Sequence, residues 1–463
     1  MFAAGVVLAR SLGSSDLGAF TLLLTIAAFA TSFSTFGVPQ ATTQQLASDE
    51  GHARDIAFTS LVVISCLSIV CSLFLVLGSS WIAEDVYKSP LLSSLLPIVA
   101  GFVLLYSLYQ FLLAVLQGLH AIRVYNYLLL GTSVLYLVTV AIGASQYGLV
   151  GAVWANSIYL LFALVFMVRP VLRGLTRRSA TSTMLSWEFQ PKVLRFAAFL
   201  TVGGTVAYFA QWFGPTLLIR SHSYSALGEF RVATLLSANL MVIPLAVATP
   251  LFPSLASTYA RNRPQFISLA VDSFRLVSLV TLPLAAALCL FSRDLLELVF
   301  GGTYGGASQL LFLMSMSGFL MAINSNAGSL YFGTGEMFVS MVLNGVWGLM
   351  FCLFGALLIP RFSSAGLGMA YLLSYAILTA IQLSYQRVKW GIRFENLTWV
   401  IAGTGLLFGL SYLIQIYTAG LLHNSLACLI LLLLLSIEIR FLRAGEREFL
   451  RRIMYLVWHR GAP

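Results

Sequence analysis

Of the 463 residues, 59% are hydrophobic and 9% charged, giving a mean hydropathy of +0.92. A soluble domain carries roughly 25% charged residues, so a water-soluble globule is excluded, and the ten-residue alternation of a β-barrel is absent. The net charge of +10 reflects basic loops facing anionic membrane lipids and gives no reason to expect a nucleic-acid partner.

Apolar runs of about 20 residues, the length that crosses a bilayer, alternate with charged or Gly/Pro-rich breaks. They predict helices near 17–38, 57–80, 91–116, 124–144, 148–168, 193–219, 227–250, 268–291, 307–331, 338–359, 366–386, 396–417 and 420–438. The stretch before Arg10 is apolar but too short to span: nine residues cover roughly 13 Å of a core about 30 Å thick.

The second half of the chain repeats the first. Val7-Leu8-Ala9-Arg10-Ser11 and Leu17-Gly18-Ala19-Phe20 return 210 residues later as Leu217-Leu218-Ile219-Arg220-Ser221 and Leu227-Gly228-Glu229-Phe230. Pro39 matches Pro250 at 211, while Gly118 with Gly333 and Gly151 with Gly366 match at 215. A repeat of this length sets the architecture. The expected fold is an all-α polytopic membrane protein with two repeated six-helix bundles around a central cleft, plus two C-terminal helices. The bundles are expected at 1–168 and 193–390, joined by a cytoplasmic linker at 169–192. The additional helices fall in 391–438 and a basic amphipathic tail in 439–463. By the same offset, roughly 18 residues of the first helix would lie ahead of Met1, so that helix is expected to be truncated.

Counting the fragment before Arg10 as the first helix, basic residues gather on the loops after even-numbered helices and on the tail, among them Arg54, Arg123, Arg169, Arg173, Arg177, Arg178, Arg261, Arg263, Arg387 and Lys389. The positive-inside rule makes that side, and the C-terminus, cytoplasmic.

No paired-carboxylate motif, metal-ligand spacing, nucleophile elbow or Walker loop occurs, so neither enzyme chemistry nor a cofactor is expected. The glycine-rich run Gly301–Gly306 reads as a tight turn. The five cysteines lie inside apolar runs and read as small hydrophobes. What remains are polar groups in or at the ends of apolar helices, and such groups usually face a cavity or a partner. Arg10 and Arg220 end equivalent helices of the two copies, and Arg231 begins the next helix. Gln211, Asn239, Asn324, Asn326 and Asn344 are embedded amides, for which hydrogen bonding between helices is the ordinary role.

Leu8-Ala9-Arg10-Ser11-Leu12-Gly13 with Leu17-Gly18-Ala19-Phe20 resembles the opening of the O-antigen and exopolysaccharide flippases of the multidrug/oligosaccharidyl-lipid/polysaccharide exporter superfamily. Leu116-Gln117-Gly118 ahead of Gly148-Leu149-Val150-Gly151-Ala152, and Leu298-Val299-Phe300-Gly301-Gly302-Thr303-Tyr304, are similar to further motifs of that family. The resemblance runs from Val7 to about Trp390. It implies a prokaryotic inner-membrane transporter that moves an isoprenoid-diphosphate-linked oligosaccharide from the cytoplasmic to the outer leaflet. Glycosyltransferases or a polymerase of the same pathway are the further partners it implies. Arg10, Arg220, Arg231, Gln211, Asn239 and Asn324 are the residues expected to line the substrate cleft. Two rivals are a cation-coupled multidrug-type antiporter, which would want a buried carboxylate, and a membrane polymerase or ligase, which would want a long outer loop.

Overall fold

The computed structural model describes residues 2–48, 52–178 and 206–392, with a few isolated positions between 409 and 431. Those positions apart, the linker from 179 onward, the expected helices at 396–417 and 420–438 and the basic tail lie outside the described residues. Among the described residues every regular element is helical, and eight helices are long and apolar enough to cross a membrane.

Two of the eight are too long to be single rods. Ile122–Arg178 has 57 residues, about 85 Å if straight, against a hydrocarbon core of about 30 Å. It turns at Gly148, whose φ of 58° and ψ of −139° match the first central position of a type II′ turn, where glycine is favoured. Beyond the turn the chain runs back on itself: a Cβ on Gly143 or Gly151 would overlap the other's carbonyl, and the Tyr136 and Tyr159 rings are 4.9 Å apart. This hairpin supplies the spans expected at 124–144 and 148–168. Its second arm continues helically to Arg178, so the first ten residues of the expected linker are helix.

Met337–Trp390, with 54 residues, does the same at Ser363 (φ 53°, ψ −134°), where a Cβ on Gly366 would overlap the Leu358 carbonyl. Gly143, Gly148 and Gly151 each precede Leu358, Ser363 and Gly366 by 215 residues, the offset already read between Gly118 and Gly333. Phe2–Thr35 breaks at Gly13 (φ 73°, ψ 175°). At an offset of 210, the helix covering 206–221 gives way to Tyr224–Ser237.

The described chain forms two compact units. The first comprises Met1–Leu235, Glu297–Tyr304 and Asn344–Ala370. In it Phe2–Thr35, Ala53–Leu77, Pro90–Gly118 and the Ile122–Arg178 hairpin pack together. The short helix Val38–Ser48 falls between the helices expected at 17–38 and 57–80. It forms because Val38, Ala41 and Leu46 are wholly buried, and because Gly118 leaves room for Leu46: a Cβ there would stand 2.6 Å from the Leu46 Cβ.

The second unit comprises Leu236–Leu296, Gly305–Leu343 and Tyr371–Pro463. Val242–Arg261, Arg263–Leu290 and Ser308–Thr334 pack against one another. Trp390 is buried among Tyr259, Phe266, Tyr331 and Tyr385, at ring distances of 5.7 to 6.4 Å.

Candidate functional site in the first unit

Four of the expected site residues, Arg10, Gln211, Arg220 and Arg231, belong to the first unit, and Asn239 and Asn324 to the second. The twin arginines differ in their surroundings. Arg10 donates from Nε to the Val299 carbonyl at 2.8 Å and from Nη2 to the Leu298 carbonyl at 2.7 Å. Those carbonyls belong to the last turn of the Ser292–Phe300 helix, where backbone acceptors have no partner within the helix. Arg10 therefore caps that helix and places positive charge at its negative end. Beside it, the buried Tyr304 hydroxyl donates to the Ala9 carbonyl at 3.1 Å. The sequence motif that ends in Tyr304 is thus a clamp on the Arg10 turn.

Arg220 is exposed and makes no hydrogen bond or ion pair among the described residues. Its charge reaches Tyr87, a buried residue whose hydroxyl shares a 2.9 Å hydrogen bond with Thr216. Burial pushes the Tyr87 phenol above its ordinary value, more than that hydrogen bond and the nearby cation offset.

Arg231 lies inside the Tyr224–Val247 span and is half-buried; its guanidinium has no carboxylate or hydrogen-bond partner among the described residues. The buried Tyr136 stands within its electrostatic reach. Tyr136 opens a series of phenols within the unit. It packs on Tyr159; Tyr109 shares a 3.1 Å hydrogen bond with Thr132; Tyr106 lies 6.1 Å from Tyr109 and accepts from Gln110 at 2.8 Å. A cation with aromatic and hydroxyl neighbours in a membrane span is suited to hold an anion and adjoining polar groups. Glu229, two residues before Arg231, accepts from Ser364 at 3.1 Å.

Gln211 is exposed on the helix covering 206–221. In the second unit the exposed Asn239 donates to the Leu236 carbonyl at 3.1 Å. Asn324 is buried and ties its helix to Thr379 at 2.8 Å, and Asn326 does the same to Ser273 at 3.0 Å. Asn324 and Asn326 thus make the interhelical bonds that amides ordinarily make in membranes. The phenols were overlooked in the sequence, although Tyr106, Tyr109 and Gln110 carry the three- and four-residue spacing of one helix face.

These features define a multi-pass helical membrane protein whose first unit holds two arginines, Arg220 and Arg231, with no ion pair among the described residues. The family model described as "Polysaccharide biosynthesis protein" matches residues 7–309, and the chain belongs to that family. Its fold is shared with the lipid II flippase MurJ in an inward closed conformation, with a TM-score of 0.74, 13% identity, and coverage of 95% of this chain and 96% of that one. An inward-facing multidrug resistance MATE family transporter of the MOP superfamily gives a TM-score of 0.71 at 14% identity, covering 84% and 93%. The probable low-salt glycan biosynthesis flippase Agl15 of Haloferax volcanii is 22% identical over 264 residues. That match spans 54% of this chain and 54% of Agl15, so the chain matches about half the length of that relative. An uncharacterized membrane protein of Methanocaldococcus jannaschii is 20% identical over 443 residues, covering 89% of this chain and 84% of its own.

Proposed function

We propose that this protein is a flippase carrying isoprenoid-diphosphate-linked oligosaccharides from the cytoplasmic to the outer leaflet of a prokaryotic plasma membrane, by alternating access and without catalysing a reaction. The observation that carries the reading is Arg231, a half-buried cation inside a span with no acidic partner among the described residues. Charge inside a membrane is costly and is kept where it serves a ligand or pathway. A diphosphate needs such groups, because burying unpaired polar atoms costs several kcal/mol each. Membership of a polysaccharide biosynthesis family, and the flippase names of Agl15 and MurJ, point to the same substrate class.

Direction follows from charge. With the basic loops and the C-terminus cytoplasmic, a diphosphate moving outward travels down an inside-negative potential. That gains about 2.3 kcal/mol per charge per 100 mV, and no nucleotide site is required. Anionic lipids hold the basic loops, and the glycosyltransferases or polymerase of the same pathway supply and consume the glycan.

A cation-coupled antiporter is the second reading, and Asp55, a carboxylate only 1% exposed, favours it. Its position in the first turn of Ala53–Leu77 gives it a simpler role, because a helix N-terminus stabilises negative charge. The deciding experiment is a vesicle assay with fluorescent lipid-linked glycan and the purified full chain. Translocation that persists without a sodium or proton gradient supports the flippase. Drug efflux that depends on either gradient, together with no glycan movement, supports the antiporter.

A further inference from the structure

The first unit contains a recess of about 350 Å³ formed where Val38–Ser48 crosses Pro90–Gly118. Its wall carries Gln40, Thr43, Gln44, Gln110, Gln117 and Tyr125 over a floor of Pro39, Leu113 and Ala114. Among the described residues no charged side chain lines it. Gln40, Gln44 and Gln117 are exposed, and their side-chain amides make no hydrogen bond to other described residues. Gln110 and Thr43 are tied down, to the Tyr106 hydroxyl at 2.8 Å and the Ala114 carbonyl at 3.1 Å.

We infer that this recess is a binding site for a neutral sugar. Each free amide offers two donors and an acceptor oxygen, the combination that sugar hydroxyls, both donors and acceptors, demand. The half-buried Tyr125 ring supplies an apolar face against which the C–H face of a pyranose can rest. A phosphate would call for cations and a cationic drug for carboxylates, and the wall has neither. The volume falls within the ~300–1,000 Å³ range of small-molecule sites. The fold itself does not demand these amides. At equivalent positions of the second half, set by Pro39 with Pro250 and Gly118 with Gly333, Gln40 becomes Leu251 and Gln117 becomes Phe332. The recess lies beside the loops that carry Arg54 and Arg123, the cytoplasmic side by our assignment. It would thus meet the glycan before translocation, and in that respect it rests on the flippase reading.

The test uses saturation-transfer-difference NMR on the full chain in nanodiscs, with methyl glycosides of glucose, galactose and N-acetylglucosamine as probes and methyl glucuronide as the charged control. At least one neutral glycoside should bind at millimolar concentration. Gln40→Leu and Gln117→Phe, the residues of the second half, should each weaken it about three- to tenfold, while binding of inorganic pyrophosphate stays unchanged. If either variant loses its monodisperse elution, Gln40→Asn and Gln117→Asn replace it. Absent glycoside binding, binding that the variants leave unchanged, or a signal that follows the lipid headgroup of the nanodisc would overturn the proposal. Vesicle transport separates it from the flippase reading. A chain that binds glycosides here but moves no lipid-linked glycan refutes the flippase alone; transport without glycoside binding refutes the recess alone.

Discussion

Gly18 and Gly228 face each other's helices at a single crossing in the first unit. A Cβ on Gly18 would overlap the carbonyl of Tyr224, and a Cβ on Gly228 would overlap the carbonyl of Ser14. Both pairs are related by 210 residues, Gly18 to Gly228 and Ser14 to Tyr224, so the contact is reciprocal, like that between two copies about a twofold axis. Ser225 and Ser14 add a hydroxyl bond of 2.9 Å at the same crossing. Small residues let membrane helices approach this closely.

Backbone atoms cannot step aside as a side-chain tip can. Gly18→Ala and Gly228→Ala should therefore each destabilise the chain by about 1–3 kcal/mol, the cost of overpacking. Gly101, with nothing among the described residues within 4 Å of an added Cβ, is the control. Thermal unfolding in detergent, followed by fluorescence, should show lowered midpoints for the first two and little change for Gly101→Ala. Equal midpoints for all three would mean that the crossing is not tightly made.

The twin hairpin turns make a prediction of opposite sign for each copy. Gly148 and Ser363 hold nearly the same dihedrals, in a region that costs a non-glycine residue about 1–3 kcal/mol. Ser363→Gly should therefore raise stability by about 1 kcal/mol and Gly148→Ser should lower it by a similar amount. Urea titrations of the two variants would sink the idea if they moved in the same direction.

The apolar runs and their breaks were legible because hydrocarbon imposes length and composition on each span. Even the hairpins at Gly148 and Ser363 were visible as paired runs. Val38–Ser48 was not, since three buried side chains and the bare Cα of Gly118 create it. The arginines stand out as charges in apolar helices; that Arg10 caps Ser292–Phe300 depends on contacts across 288 to 289 residues. The recess escaped notice for the same reason: Gln40 and Gln117 meet only once two helices cross.

Arg10 and Arg220 should separate in their effects. Removing Arg10 leaves two carbonyls of the Ser292–Phe300 helix without their donor, so Arg10→Ala should cost about 1 kcal/mol of stability. Arg220→Ala should leave the unfolding midpoint nearly unchanged and slow glycan translocation. Measuring midpoint and vesicle transport on the same preparations checks both; a stable Arg10→Ala or an unstable Arg220→Ala would reverse these roles.

In the second unit Glu336 pairs with Lys389 at 2.8 Å and accepts from Tyr385 at 2.8 Å. The Lys389 and Tyr385 hydrogen bonds hold the Glu336 carboxyl below its ordinary value of 4.5. A carboxylate held low in the folded state contributes stability that is fully present above the unfolded value and is lost as pH falls through the folded one. Lys389 is exposed and Glu336 half-buried, and ion pairs so near the solvent contribute little, so the effect is small. Wild type should be slightly more stable than Glu336→Gln at pH 7, with midpoints converging below about pH 4. A gap that persists undiminished in acid would assign the difference to packing instead.

Arg231 offers the sharpest test, because its two contributions oppose each other. A half-buried guanidinium without an acidic partner costs desolvation energy that nothing among the described residues returns. Replacing such a charge by an apolar side chain of similar reach is often stabilising by about 1–4 kcal/mol. Arg231→Met should therefore raise the unfolding midpoint. If the arginine is there to meet a diphosphate, the same change should slow translocation at least tenfold, about 1.4 kcal/mol of lost interaction. Arg231→Lys should retain part of the activity, since it keeps the charge and loses the planar fork that fits phosphate oxygens. Stability and transport that fall together would make Arg231 a structural residue; a more stable and inactive variant would mark it as the group that replaces water around the travelling anion.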